Sequence, residues 1–269
     1  MKRTDLIPAL LLLPVLGFVA VQAIHARTIT ATAQAASLAP AARVHAKRGA
    51  ASRNSSTNTS PALTSEADAS TSVDADAKSR DVLDVRRRIQ LGETGTYIGE
   101  ILGERDSALA RWPERVEQPV RVWVGANPTI EGWDPSYPER VRDAFDQWAN
   151  LGIPVKFTFV RDSTDADVHV SWIDHFDSPI SGKTIWARDS KWWIVTANIT
   201  LALHHNAGEL LDPKAIHAIA LHEVGHLLGL DHTADTANIM TARVRVRDLS
   251  EADRNTMKLL YSLPPGSVK

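Results

Sequence analysis

Residues 222 to 232 read His222-Glu223-Val224-Gly225-His226-Leu227-Leu228-Gly229-Leu230-Asp231-His232. On a helix, residues four apart project from one face, so the imidazoles of His222 and His226 can reach a single ion. Glu223 lies about 100° round the axis from His222, close enough to hold a water at that ion without occupying a coordination position. Gly229 has no Cβ and can turn the chain sharply out of the helix, which swings His232 back as a third nitrogen ligand. Three neutral imidazoles with an open fourth position describe a catalytic zinc site, because a structural site would be closed by a fourth protein ligand. Zinc is the expected metal, and nickel, cobalt or copper suit the same donors in vitro. The competing reading is a solvated helix that happens to carry histidines. By average residue frequencies, the five fixed positions coincide in a chain of this length on the order of once in a hundred thousand times, so metal binding is preferred.

Both ends of this helix are marked. Asp212 is a good N-cap, Pro213 suits the first helical position, and Gly229 can adopt the left-handed stop. A last helix is expected from Ser250, where Ser250-Glu251-Ala252-Asp253 resembles a capping box, to about Tyr261, before Pro264-Pro265. Upstream, Val120, Val122 and Val124 alternate with Arg121 and Trp123 as a strand that stops at Gly125-Ala126-Asn127-Pro128. Val141, Ala144, Phe145 and Trp148 recur at helical spacing within Pro138 to Asn150. Further strands are read at Val155–Phe159, Val168–Trp172, Thr184–Trp186 and Trp192–Leu203, with an Asp-, Pro- and Gly-containing loop over Asp174–Gly182. The order strand, helix, strands, helix, helix makes the fold α+β. Tyr97, Ile98, Ile101 and Leu102, followed by Leu109 and Trp112, read as a short amphipathic element that either docks on the domain or ends a pro-region.

The chain has 30 Lys+Arg against 32 Asp+Glu, a balance that argues against nucleic-acid binding by bulk charge, so no nucleic-acid partner is expected. There is no Cys, which removes disulfides, Cys-ligated zinc, iron–sulfur clusters and cysteine nucleophiles, so any metal rests on His, Asp or Glu. Lys2 and Arg3 precede nineteen uncharged residues, Leu6 to Ile24. Residues 1–26 are therefore read as a signal peptide, cleaved after Ala23 or Ala26, or as an uncleaved anchor that tethers the protein to a membrane through residues 6–24. Pro8 and Pro14 favour cleavage by weakening a spanning helix. Either way the protein is expected outside the cytoplasm, secreted, periplasmic or surface-tethered. From Arg27 to Arg80, 31 of 54 residues are Ala, Ser or Thr and none is aromatic, so residues 27–85 are read as a disordered linker or pro-region. All eight Trp fall between 112 and 193, and the folded domain is placed at 86–269 with a core of about 118–262.

The stretch from His222 to His232, followed by Asn238-Ile239-Met240, resembles the metzincin zinc endopeptidases, specifically the matrixin branch. The resemblance implies a twisted, mostly parallel sheet of about five strands, a long active-site helix, a methionine turn at Met240 beneath the metal, and a C-terminal helix over Leu249–Tyr261. It implies a zinc-dependent endopeptidase in which His222, His226 and His232 hold one zinc, and Glu223 takes a proton from the zinc-bound water that attacks the peptide bond. A protein or peptide substrate would then pair with an edge strand near Thr184–Ala187, and a monomer is the expected state. The family also commonly holds a second, structural zinc. Here His175 and Asp177 stand in the right loop, but Ala187-Arg188 and Val195-Thr196-Ala197-Asn198 occupy the strands where further His would be needed, so no structural zinc is expected. Asp174 and Asp177 are where the resemblance would place calcium, and a solvated acidic loop is the preferred reading. The family's cysteine latency device has no counterpart in a chain without Cys. After Met240, Thr241-Ala242-Arg243-Val244 lacks the Pro or Tyr that shape the specificity pocket in relatives, so substrate preference does not transfer.

The remaining histidines, 169, 204, 205 and 217, are read as surface or hydrogen-bonded residues, and the Trp cluster as core or substrate-cleft lining, with core preferred. The rival function is a non-catalytic zinc-binding surface or adhesion module on the same fold, against which Glu223 argues, since such a module needs no base beside its metal.

Overall fold

The computed structural model describes residues 81–269, and the leader and most of the linker read from sequence lie outside the described residues. A helix over residues 81–92, here α1, includes positions 81–85 that the sequence reading left in the linker, and Val85 and Ile89 on it are buried in the core. There follow α2 (Ile98–Glu104), β1 (Ala108–Leu109), β2 (Arg115–Val124), α3 (Tyr137–Ala149), β3 (Val155–Phe159), β4 (Val168–Ile173), β5 (Gly182–Arg188), β6 (Ile194–Ala202), α4 (Pro213–Leu227), α5 (Glu251–Ser262) and β7 (Gly266–Ser267). Among the described residues no helix is long and apolar enough to cross a membrane.

Five strands form one sheet in the order β3-β2-β4-β6-β5. β3, β2, β4 and β6 run parallel, and β5 returns antiparallel to β6 as an edge, so the mixed, mostly parallel sheet of an α+β fold is present. β2 begins five residues before the expected Val120, with its pairing to β3 irregular between Arg115 and Val120. Pro119 sits in that interval and has no N–H to give to a ladder. The alternation of Val120 and Val122 puts both wholly inside, as a strand with one buried face requires.

α3 packs along α4 and against β3, while α4 packs against β5 and β6. α3 is amphipathic: Val141, Ala144, Phe145 and Trp148 face inward at three- and four-residue spacing. α4 differs, because every residue from Ala218 to Leu227 is buried. A helix covered all round belongs at the centre of a domain, and the Trp148 indole donates to the Leu221 carbonyl at 2.9 Å. The caps fall where the sequence put them. The Asp212 side chain accepts from Ala215 N at 2.6 Å, and Ser250 and Asp253 form a reciprocal capping box at the start of α5.

The other end of α4 closes as a Schellman motif, with Leu230 N donating to Gly225 O at 2.9 Å and Gly229 N to His226 O at 3.0 Å. Gly229 has φ +106°, and a Cβ there would overlap the Ala110 carbonyl oxygen. The carbonyls left over at this end are capped from elsewhere: Trp112 Nε1 donates to Leu227 O at 3.0 Å and Tyr261 OH to Leu228 O at 3.1 Å.

The segment before the large sheet belongs to the folded unit. Tyr97, Ile98 and Ile101 are buried in the core, and β1 pairs antiparallel with β7 in a small second sheet. Asp253 is fully buried and accepts three bonds, from Tyr97 OH (2.9 Å), Ile239 N (2.9 Å) and Ser250 N (2.8 Å). One carboxylate thus joins α2, the loop before Met240 and α5. Replacing it by Ala strands three donors, two of them on the backbone. Asp253→Ala is therefore expected to lower the unfolding free energy by about 3 kcal/mol or more, read from urea denaturation of the full chain.

Candidate metal centre

His222 and His226 lie on the buried length of α4, and the Gly229 turn brings His232 opposite them. His226 Nε2 is 3.1 Å from His222 Nε2 and 3.2 Å from His232 Nε2. Among the described residues these three form the group of possible ligands close enough to share one ion. The outward nitrogens are engaged: His222 Nδ1 donates to Ile239 O at 2.8 Å, and His226 Nδ1 to Leu230 O at 3.1 Å. Those bonds place the protons on Nδ1 and leave the Nε2 lone pairs pointing at one another. Converging lone pairs need a shared cation. Zinc–nitrogen bonds of about 2.0–2.1 Å in a tetrahedron space the ligands by about 3.3 Å, so the residues present fit zinc.

Burial sets the charge of the rings, outweighing the backbone hydrogen bonds at His222 and His226, which favour the protonated form. It lowers His222 to about 4 and His226 well below the ordinary imidazole value, and it depresses His232 as well. All three rings are therefore neutral near pH 7, the state in which imidazole can ligate a metal.

Glu223 is buried beside the triad, under the edge strand. Its Oε2 accepts from Thr184 Oγ1 at 2.6 Å, and a Cβ on Gly182 would overlap Glu223 Oε1. Burial pushes the Glu223 carboxyl up to about 7, against the opposing effect of the Thr184 hydrogen bond. The sequence placed Thr184 on the edge strand, but nothing in the spacing of residues 39 apart signalled its bond to Glu223 or the need for Gly182.

Met240 is fully buried, and its sulfur occupies the space that a Cβ on Gly225 would fill. Gly225 therefore lets the methionine loop lie directly on α4. Thr233 N donates to Met240 O at 3.0 Å, and Ser250 Oγ to Asn238 Oδ1 at 2.7 Å, closing the loop between His232 and α5.

Among the described residues the other histidines do not join the triad. His217 meets Arg140 O at 3.0 Å on the far side of α4, and His169 meets Ser163 O at 2.8 Å. His205 meets Ser181 Oγ at 3.0 Å. In the acidic loop, both oxygens of Asp174 are engaged by ring nitrogens, one by His175 at 2.6 Å and the other by His204 at 2.8 Å. The tryptophans divide: Trp112, Trp148 and Trp172 are buried, whereas Trp133, Trp186 and Trp192 pack on the core only in part.

Residues 134–262 match the sequence profile of the matrixin family. The chain is also similar to metalloendoproteinase 2-MMP of Arabidopsis thaliana, 26% identical over 58% of this chain and 44% of that protein. Metalloendoproteinase 1 of Glycine max is 29% identical over 35% of this chain and 30% of its own length. Metalloendoproteinase 1-MMP of Arabidopsis thaliana is 30% identical over 46% of this chain and 37% of its own. The chain spans less than half the length of each of these curated relatives. The matched residues contain the triad, the Gly229 turn, the Met240 loop and α5, and with the mixed five-stranded sheet in place they form a matrixin-like metzincin domain.

Proposed function

We propose that the protein is a zinc-dependent endopeptidase that hydrolyses protein or peptide substrates outside the cytoplasm. The observation that carries the reading is the meeting of three inward-facing Nε2 atoms with the buried carboxylate of Glu223 under an edge strand. His222, His226 and His232 would hold the zinc. When bound, it supplies the Lewis acidity that polarises a peptide carbonyl and makes water a usable nucleophile near neutral pH.

The remaining work falls to the chain's own groups. Glu223, with its carboxyl raised towards neutrality, can take a proton from the attacking water and return it to the leaving amine, since a group poised near the working pH serves both steps. Thr184 holds the carboxylate by one oxygen and leaves the other free for that proton. β5 is an antiparallel edge with Ile185 exposed, and an extended peptide can add to it as a further strand and lie along Glu223. The leader read at residues 1–26 supports the extracytoplasmic setting. A non-catalytic zinc module on this fold has no use for a buried carboxylate held in this way.

Glu223→Gln in the full chain is expected to lower casein cleavage about a thousandfold while the protein retains one zinc by metal analysis. Loss of the zinc in that variant would instead place Glu223 among the ligands. A chelator should abolish the parent's activity, and zinc should restore it. A folded, zinc-loaded parent that cleaves no unfolded protein or peptide would favour the binding module.

The metal-free protein should also be sensitive to acid. Unfolded imidazoles titrate near 6.5, whereas His222 is held at about 4 and His226 well below its ordinary value. On acidification the unfolded chain takes up protons that the three folded imidazoles refuse. The raised Glu223 carboxyl, protonated earlier in the folded chain, acts the other way, but three depressed rings outweigh one raised carboxyl, so stability falls as the pH drops from about 6.5 to about 4. The melting temperature of the chelator-treated chain between pH 7 and pH 4 measures this, and a flat profile would contradict it.

A further inference from the structure

Between the second and third candidate ligands the chain runs through Gly229, Leu230 and Asp231, and one side chain reaches all three. Arg105, at the end of α2, donates from Nη1 to Gly229 O at 2.7 Å, from Nη2 to Leu230 O at 2.8 Å and from Nε to Asp231 Oδ2 at 2.9 Å. Both side chains of this ion pair are only 10% exposed. The acceptors are themselves tied to the triad: Leu230 O is the carbonyl that receives His226 Nδ1, and Asp231 Oδ1 accepts from the backbone N of His232 at 3.0 Å. On the other side of His232, Glu100 of α2 accepts from Thr233 Oγ1 at 2.9 Å and from Ala234 N at 2.7 Å. Arg105 also lies 5.3 Å from the ring centre of Trp186 on the edge strand.

We propose that Arg105, seconded by Glu100, is a positioning residue for the metal ligands, fixing the turn that carries His232 against the helix that carries His222 and His226. Both residues lie outside the segment 134–262 that matches the family profile, so the metal centre is completed by a part of the chain that precedes the matched domain. A buried ion pair contributes little to stability by itself and is often replaceable by apolar residues. What distinguishes this one is where its bonds end, two on backbone carbonyls and one on the Asp231 carboxylate, all within the segment between two ligands. The planar fork of a guanidinium suits three acceptors at fixed angles, and an ammonium does not. Any processing that removed residues 97–105 would take this clamp away with them.

The inference rests on the reading that the triad holds zinc, and its test separates the two. The full-length parent, Arg105→Gln, Arg105→Lys and Glu100→Ala would be titrated with zinc against a chromophoric chelator. Their cobalt-substituted forms would be compared by visible absorption, which reports the ligand geometry. Arg105→Gln is expected to bind zinc about ten- to a hundredfold more weakly, the usual cost of losing a group that orients a ligand, with an altered cobalt spectrum. Arg105→Lys should fail to rescue either property. Glu100 is exposed, so Glu100→Ala leaves the core intact if the Arg105 variants do not fold, and it should still weaken zinc several-fold. Arg121→Ala, which breaks the pair with Asp167, should leave both readouts unchanged. Variants that match the parent in zinc affinity and cobalt spectrum, whatever their melting temperature, would overturn the proposal and leave Arg105 a cap. A parent without metal affinity would overturn the zinc reading, and this inference with it.

Discussion

The tight turn at Gly229 is the constraint on which the rest of the molecule depends. A central helix buried on every side must end somewhere, and here it ends against another segment's backbone, where only a residue without Cβ fits beneath the Ala110 carbonyl. An abrupt stop strands carbonyls in the interior, and each needs a donor. Trp112, Tyr261 and Arg105 supply them from three separate parts of the chain. The same turn fixes where His232 can stand. The shape of the candidate centre and the arrangement of the surrounding elements are therefore one problem with one solution.

Burial then decides the chemistry. Water would let the imidazoles titrate and the Glu223 carboxylate ionise freely. Enclosure beneath β5 keeps the rings neutral and raises the carboxyl towards neutral pH. Thr184 and Gly182 set how closely the edge strand covers that carboxylate, the first by a hydrogen bond and the second by having no side chain. The backbone carbonyls of Ile239 and Leu230 orient two of the rings. Nothing in this arrangement is far from α4, yet most of its second layer comes from segments distant in sequence.

That separation explains what could be read from the residues alone. The triad, Glu223, Gly229 and both caps of α4 are local, encoded in spacings of three and four and in turn chemistry, and so they were legible. The strands from Val120 to Leu203 were visible through alternation, although β2 starts earlier than its valines suggested, because Pro119 interrupts the pattern. Arg105 was not legible, since a charged residue at the end of a short helix resembles a solvated one until its partners, about 125 positions away, are placed beside it. The bond between Thr184 and Glu223 was hidden for the same reason, and so was the convergence of Tyr97, Ile239 and Ser250 on Asp253. Two-residue strands such as β1 and β7 carry no periodicity at all.

The pairing of β1 with β7 has a consequence in time as well as in space. Ala108 and Leu109 cannot find Ser267 and Gly266 until nearly the whole domain has been made, and the Arg86 side chain likewise waits for the carbonyl of Val268. These contacts join the first described elements to the last, the kind of long-range closure that slows folding because chain entropy is lost before the contact is gained. Synthesis of this domain from its N-terminal side therefore leaves β1 and the Arg86 side chain without their final partners until the last strand arrives, and completion of the fold is a late, cooperative event.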